Sequence, residues 1–351
     1  ARQKELGVIP QECELTPRHA EIPAWDEMPE DLKPVLRRQM EVYAGFLEYT
    51  DHHVGRLVDS LQQLGVLDDT LIYYIVGDNG ASAEGTINGT YNEMLNFNGM
   101  AALETPEFLA EHLEDFGGPD SYNHYAVGWA HAMDTPYQWT KQVASHWGGT
   151  RNGTVVHWPA GIESGGEMRW QFHHVIDLAP TLLDLVGVAA PEEIAGVAQQ
   201  PIEGTSLAYT FEADAVDAAA VPSRKASQNF EMFGHRGIWS DGWKAVAYHP
   251  PDTALDDDVW ELYNLAEDFS ECHDLAEAEP ERLRGMIDLF WSEAERYGVL
   301  PIMDRTGNLF AGHVTPGTPR NRDRFVYLPP TPRVPPDAAP ALGSRNWEMR
   351  F

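Results

Sequence analysis

Apolar residues recur through positions 36–64 at alternating steps of four and three: Leu36, Met40, Tyr43 and Leu47, then Val54, Leu57, Leu61 and Leu64, with Thr50 keeping the step. That period draws one stripe along a long amphipathic helix, opened by Pro34 and stopped by Gly65. At Thr70–Val76 the period disappears and the run becomes apolar almost throughout, which predicts a strand of a parallel sheet covered on both faces. A further strand is expected over "TVVHW" (154–158), and a helix over "DLAPTLLDLVGV" with Asp177 as its N-cap. Later, "HRGIWSDGWKAVAYH" predicts a hairpin turning at Ser240-Asp241-Gly242, followed by a strand over "VWELYNL" (259–265). Pro280–Tyr297 closes the pattern as a helix with Leu283, Met286, Ile287, Phe290, Trp291, Ala294 and Tyr297 on one face.

Residues 1–33 and 86–135 carry no such period and are expected to be irregular. A long irregular stretch beside a strand end more often faces a substrate than serves as idle linker. Composition shifts at Ala189–Gln200 and Glu212–Ser223 mark the exit from a first domain. The order helix, buried strand, turn is α/β grammar, and three antiparallel strands with a helix make a small α+β subdomain. The expected division is therefore an α/β domain over 1–190, the small subdomain over 191–300, and a Pro-rich linker with the start of another segment over 301–351.

The first chemistry lies at the end of the first strand, in "IYYIVGDNGASAEG". Asp78 and Asn79 have two readings: a plain turn, since Asp, Asn and Gly tolerate unusual backbone angles, or oxygen ligands for a hard cation such as Ca²⁺ or Mg²⁺. Their place at the carboxyl end of a buried strand, where α/β folds seat ligands, moves the balance toward function.

Charge narrows the partners. Lys and Arg number 24 against 55 Asp and Glu, a net charge of −31. Nucleic acid and anionic membranes are disfavoured, and an anionic substrate needs a local cation against the global field. No apolar segment is long enough to span a membrane, and "ARQKELGVIP" has no signal-peptide core. Two cysteines, Cys13 and Cys272, build no disulfide framework, and a reducing, cytoplasmic setting is the simpler reading.

Four segments in this order, "LIYYIVGDNGASAEG", "TPYQWTKQVASHWGGTRNG", "HVIDLAPTLLDLVG" and "WKAVAYH…WELYNLAEDFSE", make the chain resemble bacterial arylsulfatases across roughly residues 1–300. That family belongs to the alkaline-phosphatase-like superfamily, so the resemblance implies a partial alkaline-phosphatase-like sandwich, mainly a parallel sheet with helices on both faces. It also implies that Asp78 and Asn79 ligate calcium (magnesium being possible) and that Lys141, ahead of Gly148-Gly149, contacts the sulfate of a small-molecule sulfate ester. A divalent cation and a lysine together stabilise the oxygens of a sulfate ester as the leaving oxygen departs. His146 has the chemistry to protonate the leaving group or to donate to sulfate, with a backbone-bonded structural histidine as the alternative; His124, in "SYNHYAVGW", is a candidate of the same kind. His52 and His53 are expected to be ordinary helix residues, and Arg151 to anchor the turn after Gly149.

The resemblance also implies a formylglycine made from Cys-x-Pro-x-Arg, and that motif is absent. Cys13 opens "CELTPR", Cys272 opens "CHDLA", and "AVPSR" (220–224) has alanine at the key position. Two further aspartate ligands and an arginine are likewise unrecognisable upstream of Asp78. These residues are therefore expected to be the second half of a sulfatase catalytic region, with the formylglycine in the other half and the chain inactive alone. Two alternatives stay open: a phosphoester or phosphonate hydrolase of the same superfamily, or a non-catalytic half-domain that binds metal or anion. The pattern carries no reading of oligomeric state.

Overall fold

The computed structural model describes residues 1–77, 79–251 and 253–302; Asp78 and most of the Pro-rich segment lie outside the described residues. Helix α1 (Lys33–Gln63) starts with Pro34 in its first turn and ends where Val66 N–H closes on Leu61 O at 3.1 Å around Gly65. Gly65 takes φ +69°, a backbone state that glycine adopts without a Cβ clash. Its first turns bury Val35 and Leu36 against Met28, Leu109 and Phe116. The stripe does not stay covered, since Leu47, Leu57 and Leu64 are exposed.

Strand β1 (Ile72–Ile75) leads into turns and short helices, of which α2 (Val127–Met133) and α3 (Trp147–Thr150) flank the site described below. The chain then returns in β2 (Thr154–His157), which pairs with β1 from Ile72↔His157 to Ile75↔Thr154. That pairing is antiparallel, and Ile75 and Val76 are exposed, against the expectation of a parallel strand covered on both faces over Thr70–Val76. An apolar run reports strand propensity and a wish for cover; it does not encode the direction of the neighbour.

Helix α4 (Leu178–Leu185) follows with Asp177 at the expected N-cap position, but its side chain makes no capping bond. The carboxylate instead accepts from His174 N–H and Thr205 N–H (both 2.7 Å) and from Lys225 Nζ (2.8 Å), fully buried. An acid at a helix start is thus used here to tie three chain segments together. Such a buried charge is tolerated because it is paired and hydrogen-bonded.

Four antiparallel strands form the second sheet in sequential order: β3 (Ser227–Met232), β4 (His235–Ser240), β5 (Trp243–Ala247) and β6 (Trp260–Asn264). The predicted hairpin is β4–β5, with Asp241 and Gly242 both at positive φ (47° and 77°), the requirement of a type I′ turn. β3 carries no clear sequence signal, because "SQNFEM" turns Gln228 inward with Phe230. Helix α5 (Pro280–Arg296) lays Met286, Phe290 and Ala294 on Ile238, Ala245 and Leu262. Large side chains buried this fully contribute roughly 1.5–3 kcal/mol each. Helices packed beside sheets in these proportions are α/β class, with an α+β piece at the carboxyl side.

Candidate active site

The turn after β1 is built by close backbone approach. A Cβ on Gly80 (φ +79°) would lie 1.9 Å from Gly148 O, and one on Gly148 would lie 2.2 Å from Gln138 O and Trp139 O. Only glycine permits this, so the paired glycines let the 138–150 loop close over the residues following β1. Lys141 N–H donates to Ala81 O at 3.0 Å and seals the contact. Asn152, its amide oriented to satisfy both groups, accepts from Asn79 N–H (3.1 Å) and Gly80 N–H (3.3 Å). The loop bears strain where it turns: Trp139 and Gln142, flanking Lys141, sit at φ 66° and 77°.

Side chains then fix the lysine. Lys141 Nζ lies 2.9 Å from Glu84 Oε2, Gln142 Nε2 donates to Glu84 Oε1 at 2.9 Å, and the Ser82 hydroxyl also donates to this carboxylate. Burial pushes the Glu84 carboxyl up, but the bonds from Ser82 and Lys141 outweigh it and hold it below the usual range. Behind this cluster, Ala81 N–H donates to Asp134 Oδ1 (2.9 Å) and Ser82 N–H to the Tyr125 hydroxyl (3.1 Å). Asp134 Oδ2 is buried without a hydrogen-bond partner among the described residues, and burial lifts this carboxyl to about 7 despite the Ala81 bond. His124 Nδ1 lies 2.8 Å from Tyr125 O, so that nitrogen carries the proton. A Cβ on Gly85 would fall 2.6 Å from the His124 ring, which places His124 on the Glu84 side of the cluster.

His146 has different company. It is buried, with Nδ1 2.9 Å from Ser145 Oγ and Nε2 3.4 Å from Glu261 Oε2 on β6. The Glu261 carboxylate also accepts from Tyr263 Oη. The structure therefore joins Lys141 to the turn after β1, sets His124 beside that turn, and directs His146 to the second sheet. Asn79 lies in the turn, and Asp78 lies outside the described residues. Arg151 stacks over Phe269 at 4.2 Å from the ring centroid, between Tyr137 and Trp147.

Several residues of this network escaped the sequence pattern: Glu84, Asp134, Lys244 and Glu271. Lys244 is wholly buried, 2.6 Å from Glu271 Oε1 and 3.5 Å from the Trp147 ring centroid. Burial draws its ammonium down to about 8, opposed by Glu271. Glu271 Oε2 accepts from Trp147 N–H at 2.8 Å, and its carbonyl from Gln138 Nε2 at 2.9 Å. This buried pair thus grips both ends of the loop that carries Lys141. The available signal was Lys244 itself, a charge in the middle of the apolar run "GIWSDGWKAVA".

The oxygen donors of Asp78 and Asn79 suit a hard divalent cation. Among the described residues no group of three or more His, Cys, Asp or Glu is placed to enclose one. Neither thiol has the makings of a nucleophile. Cys13 is buried with Sγ on Glu14 O, and burial pushes the Cys272 thiol up.

Comparison with known proteins follows the same residues. The model described as N-sulphoglucosamine sulphohydrolase, C-terminal, matches residues 139–284. An uncharacterized sulfatase of Schizosaccharomyces pombe is 28% identical over 308 residues, covering 86% of this chain and 52% of that protein. The arylsulfatase of Klebsiella aerogenes is 28% identical over 230 residues, 64% of this chain and 45% of that protein. The crystal structure of Ps i-CgsB aligns at 18% identity and TM-score 0.47, over 87% of this chain and 48% of that one. The chain thus spans about half the length of the curated relatives it matches. The model described as Sulfatase matches residues 9–188 of the 351, more than half, and the chain belongs to the sulfatase family.

Proposed function

We propose that the chain supplies part of the metal and sulfate site of an arylsulfatase-type enzyme, which hydrolyses a sulfate ester to an alcohol or phenol and inorganic sulfate. The observation that carries this reading is the placement of Lys141, whose ammonium is tethered beside the turn bearing Asn79 by Glu84 and by the Lys141–Ala81 backbone bond. Family membership supports sulfate-ester hydrolysis in general, and the aryl preference is the proposal's finer part.

The ammonium has three donors and spends one on Glu84, which leaves two for sulfate oxygens. As a compact point charge it supplies the local attraction that a chain of net charge −31 otherwise denies an anion. Asp78 and Asn79 would hold Ca²⁺ or Mg²⁺, which when bound adds positive charge at the ester oxygens. His124, beside Glu84, is proposed as a sulfate contact. His146 is proposed as a proton donor, with Glu261 setting its orientation. The nucleophile, a formylglycine in this reading, comes from outside these residues, so the 351-residue chain by itself is expected to hydrolyse 4-nitrophenyl sulfate no faster than buffer.

The test is Lys141→Ala in an active enzyme that carries this sequence. Loss of one preorganised electrostatic contact lowers turnover by about 10²–10³. Lys141→Arg restores little, since a planar fork does not replace a point charge. A near-normal kcat/KM toward 4-nitrophenyl sulfate in Lys141→Ala would refute the assignment.

A further inference from the structure

A second concavity lies outside the network just described. It is a bowl of about 310 Å³ between the N-terminal segment, the start of α1 and α2. Its walls are Ile22, Trp25, Ile87 and Trp129, over a floor of Met28 and Leu36. That volume is at the lower end of the range for small-molecule sites. The floor is preformed, because Met28 and Leu36 are buried members of the first core. Trp129 is fixed as a wall by its indole N–H, which donates to Leu36 O at 2.8 Å and leaves the ring to offer only its apolar surface. Trp25 stands at the rim, partly exposed, with its ring 5.9 Å from that of Trp129 and tilted by 53°. At that spacing the two indoles touch each other and form one continuous aromatic wall of the bowl.

The charge around the bowl is opposite to that of the molecule. Asp and Glu outnumber Lys and Arg by 55 to 24, yet none of the lining residues is acidic and two are basic, Arg18 and His131. Arg18 bends back so that one guanidinium nitrogen donates to Ile22 O, which holds the cation at the mouth with its other N–H donors free of that bond. Arg37 also stands over Trp25, 5.2 Å from the ring centroid, while Lys33, at 6.0 Å, is paired with Glu30. Burial, with His19 and Arg18, keeps His131 below its usual value, so Arg18 is the standing charge and His131 a neutral hydrogen-bonding group.

We propose that this bowl is a binding site for a small aromatic anion, its ring over the Met28 and Leu36 floor against the wall made by Trp25 and Trp129, and its carboxylate or sulfate against Arg18. The site is separate from Lys141, and the inference does not depend on the sulfatase chemistry proposed above. The probe is naphthalene-1-carboxylate, an aromatic anion with no ester to hydrolyse, added to the full chain while tryptophan fluorescence is followed. Saturable quenching is expected, weakened at least tenfold by Ile87→Trp, which fills the mouth from a half-exposed rim position. Arg18→Ala is expected to weaken naphthalene-1-carboxylate several-fold and to leave uncharged naphthalene-1-methanol unchanged, whereas Lys141→Ala leaves both unaffected. Equal binding by the wild-type chain and a folded Ile87→Trp variant would overturn the site, as would the absence of saturation. Loss of binding in Lys141→Ala would also overturn it, by moving the ligand to the sulfate site, and would leave the functional proposal standing.

Discussion

Two carboxylates around one turn are driven in opposite directions by their partners. Glu84 receives three side-chain donors and stays ionised, whereas Asp134 receives one backbone N–H and has one oxygen with no partner among the described residues. A negative charge beside the Lys141 ammonium subtracts from the attraction for sulfate proposed for it. Glu84→Gln should therefore raise the chain's affinity for inorganic sulfate by about threefold to tenfold at low salt. That gain should fade as added salt screens it, and calorimetric titration at two ionic strengths checks this. For Asp134, the folded carboxyl at about 7 binds a proton that the unfolded chain has released, so folding is favoured at low pH. That stability is fully present below about 4 and is lost as pH rises toward about 7. Asp134→Asn keeps the oxygen that Ala81 uses and places an N–H₂ where the unpartnered oxygen stood. At pH 8 it should stabilise the chain by on the order of 1–3 kcal/mol and flatten stability between pH 4 and 7, as read by urea unfolding. None of this was legible in the sequence. Glu84 reads as one more acid among 55, and its role emerges only when Lys141 arrives from another part of the chain.

At the scale of elements, legibility followed how local each cause is. The long helix, the type I′ hairpin and the closing helix were readable because period, proline, glycine and the Asp-Gly turn act within a few residues. β3 was missed since four of its six residues are polar, and its place is fixed by pairing with β4 rather than by its own pattern. The antiparallel β1–β2 pair and the diversion of Asp177 from capping also depend on distant partners. The loop carrying Lys141 is the extreme case, held by a buried Lys244–Glu271 pair on the second sheet and the segment after it. Removing one partner of such a pair leaves an uncompensated charge in the interior. Glu271→Ala should thus destabilise by about 3–5 kcal/mol, more than the Lys244→Met/Glu271→Leu double variant does. Thermal or urea unfolding of the wild-type chain and the two variants reads this out, and a double variant that loses clearly more than Glu271→Ala would refute the uncompensated-charge account.

For the whole molecule, the distribution of apolar surface is the property that departs most from a self-contained domain. Phe46, Tyr49 and Leu57 on α1 are more than 60% exposed, as are Val175 and Val186 near α4, while Val155 on β2 is 59% exposed. Scattered exposed apolar residues are ordinary, but Leu47, Leu57 and Leu64 of the predicted helix stripe are exposed, as are Ile75 and Val76 of the strand expected to be covered on both faces. The described residues cover the helix stripe at one end only, around Val35 and Leu36. Two substitutions on the same helix separate the covered end from the open one. Leu36→Ala removes a side chain packed among Met28, Leu109 and Phe116 and should cost about 2–5 kcal/mol. Leu57→Glu, about six turns further along the same stripe, loses almost no packing and should leave stability of the isolated chain within about 0.5 kcal/mol. If Leu57→Glu instead destabilises the isolated chain as much as Leu36→Ala, then that stretch of α1 is covered in solution by this chain's own residues.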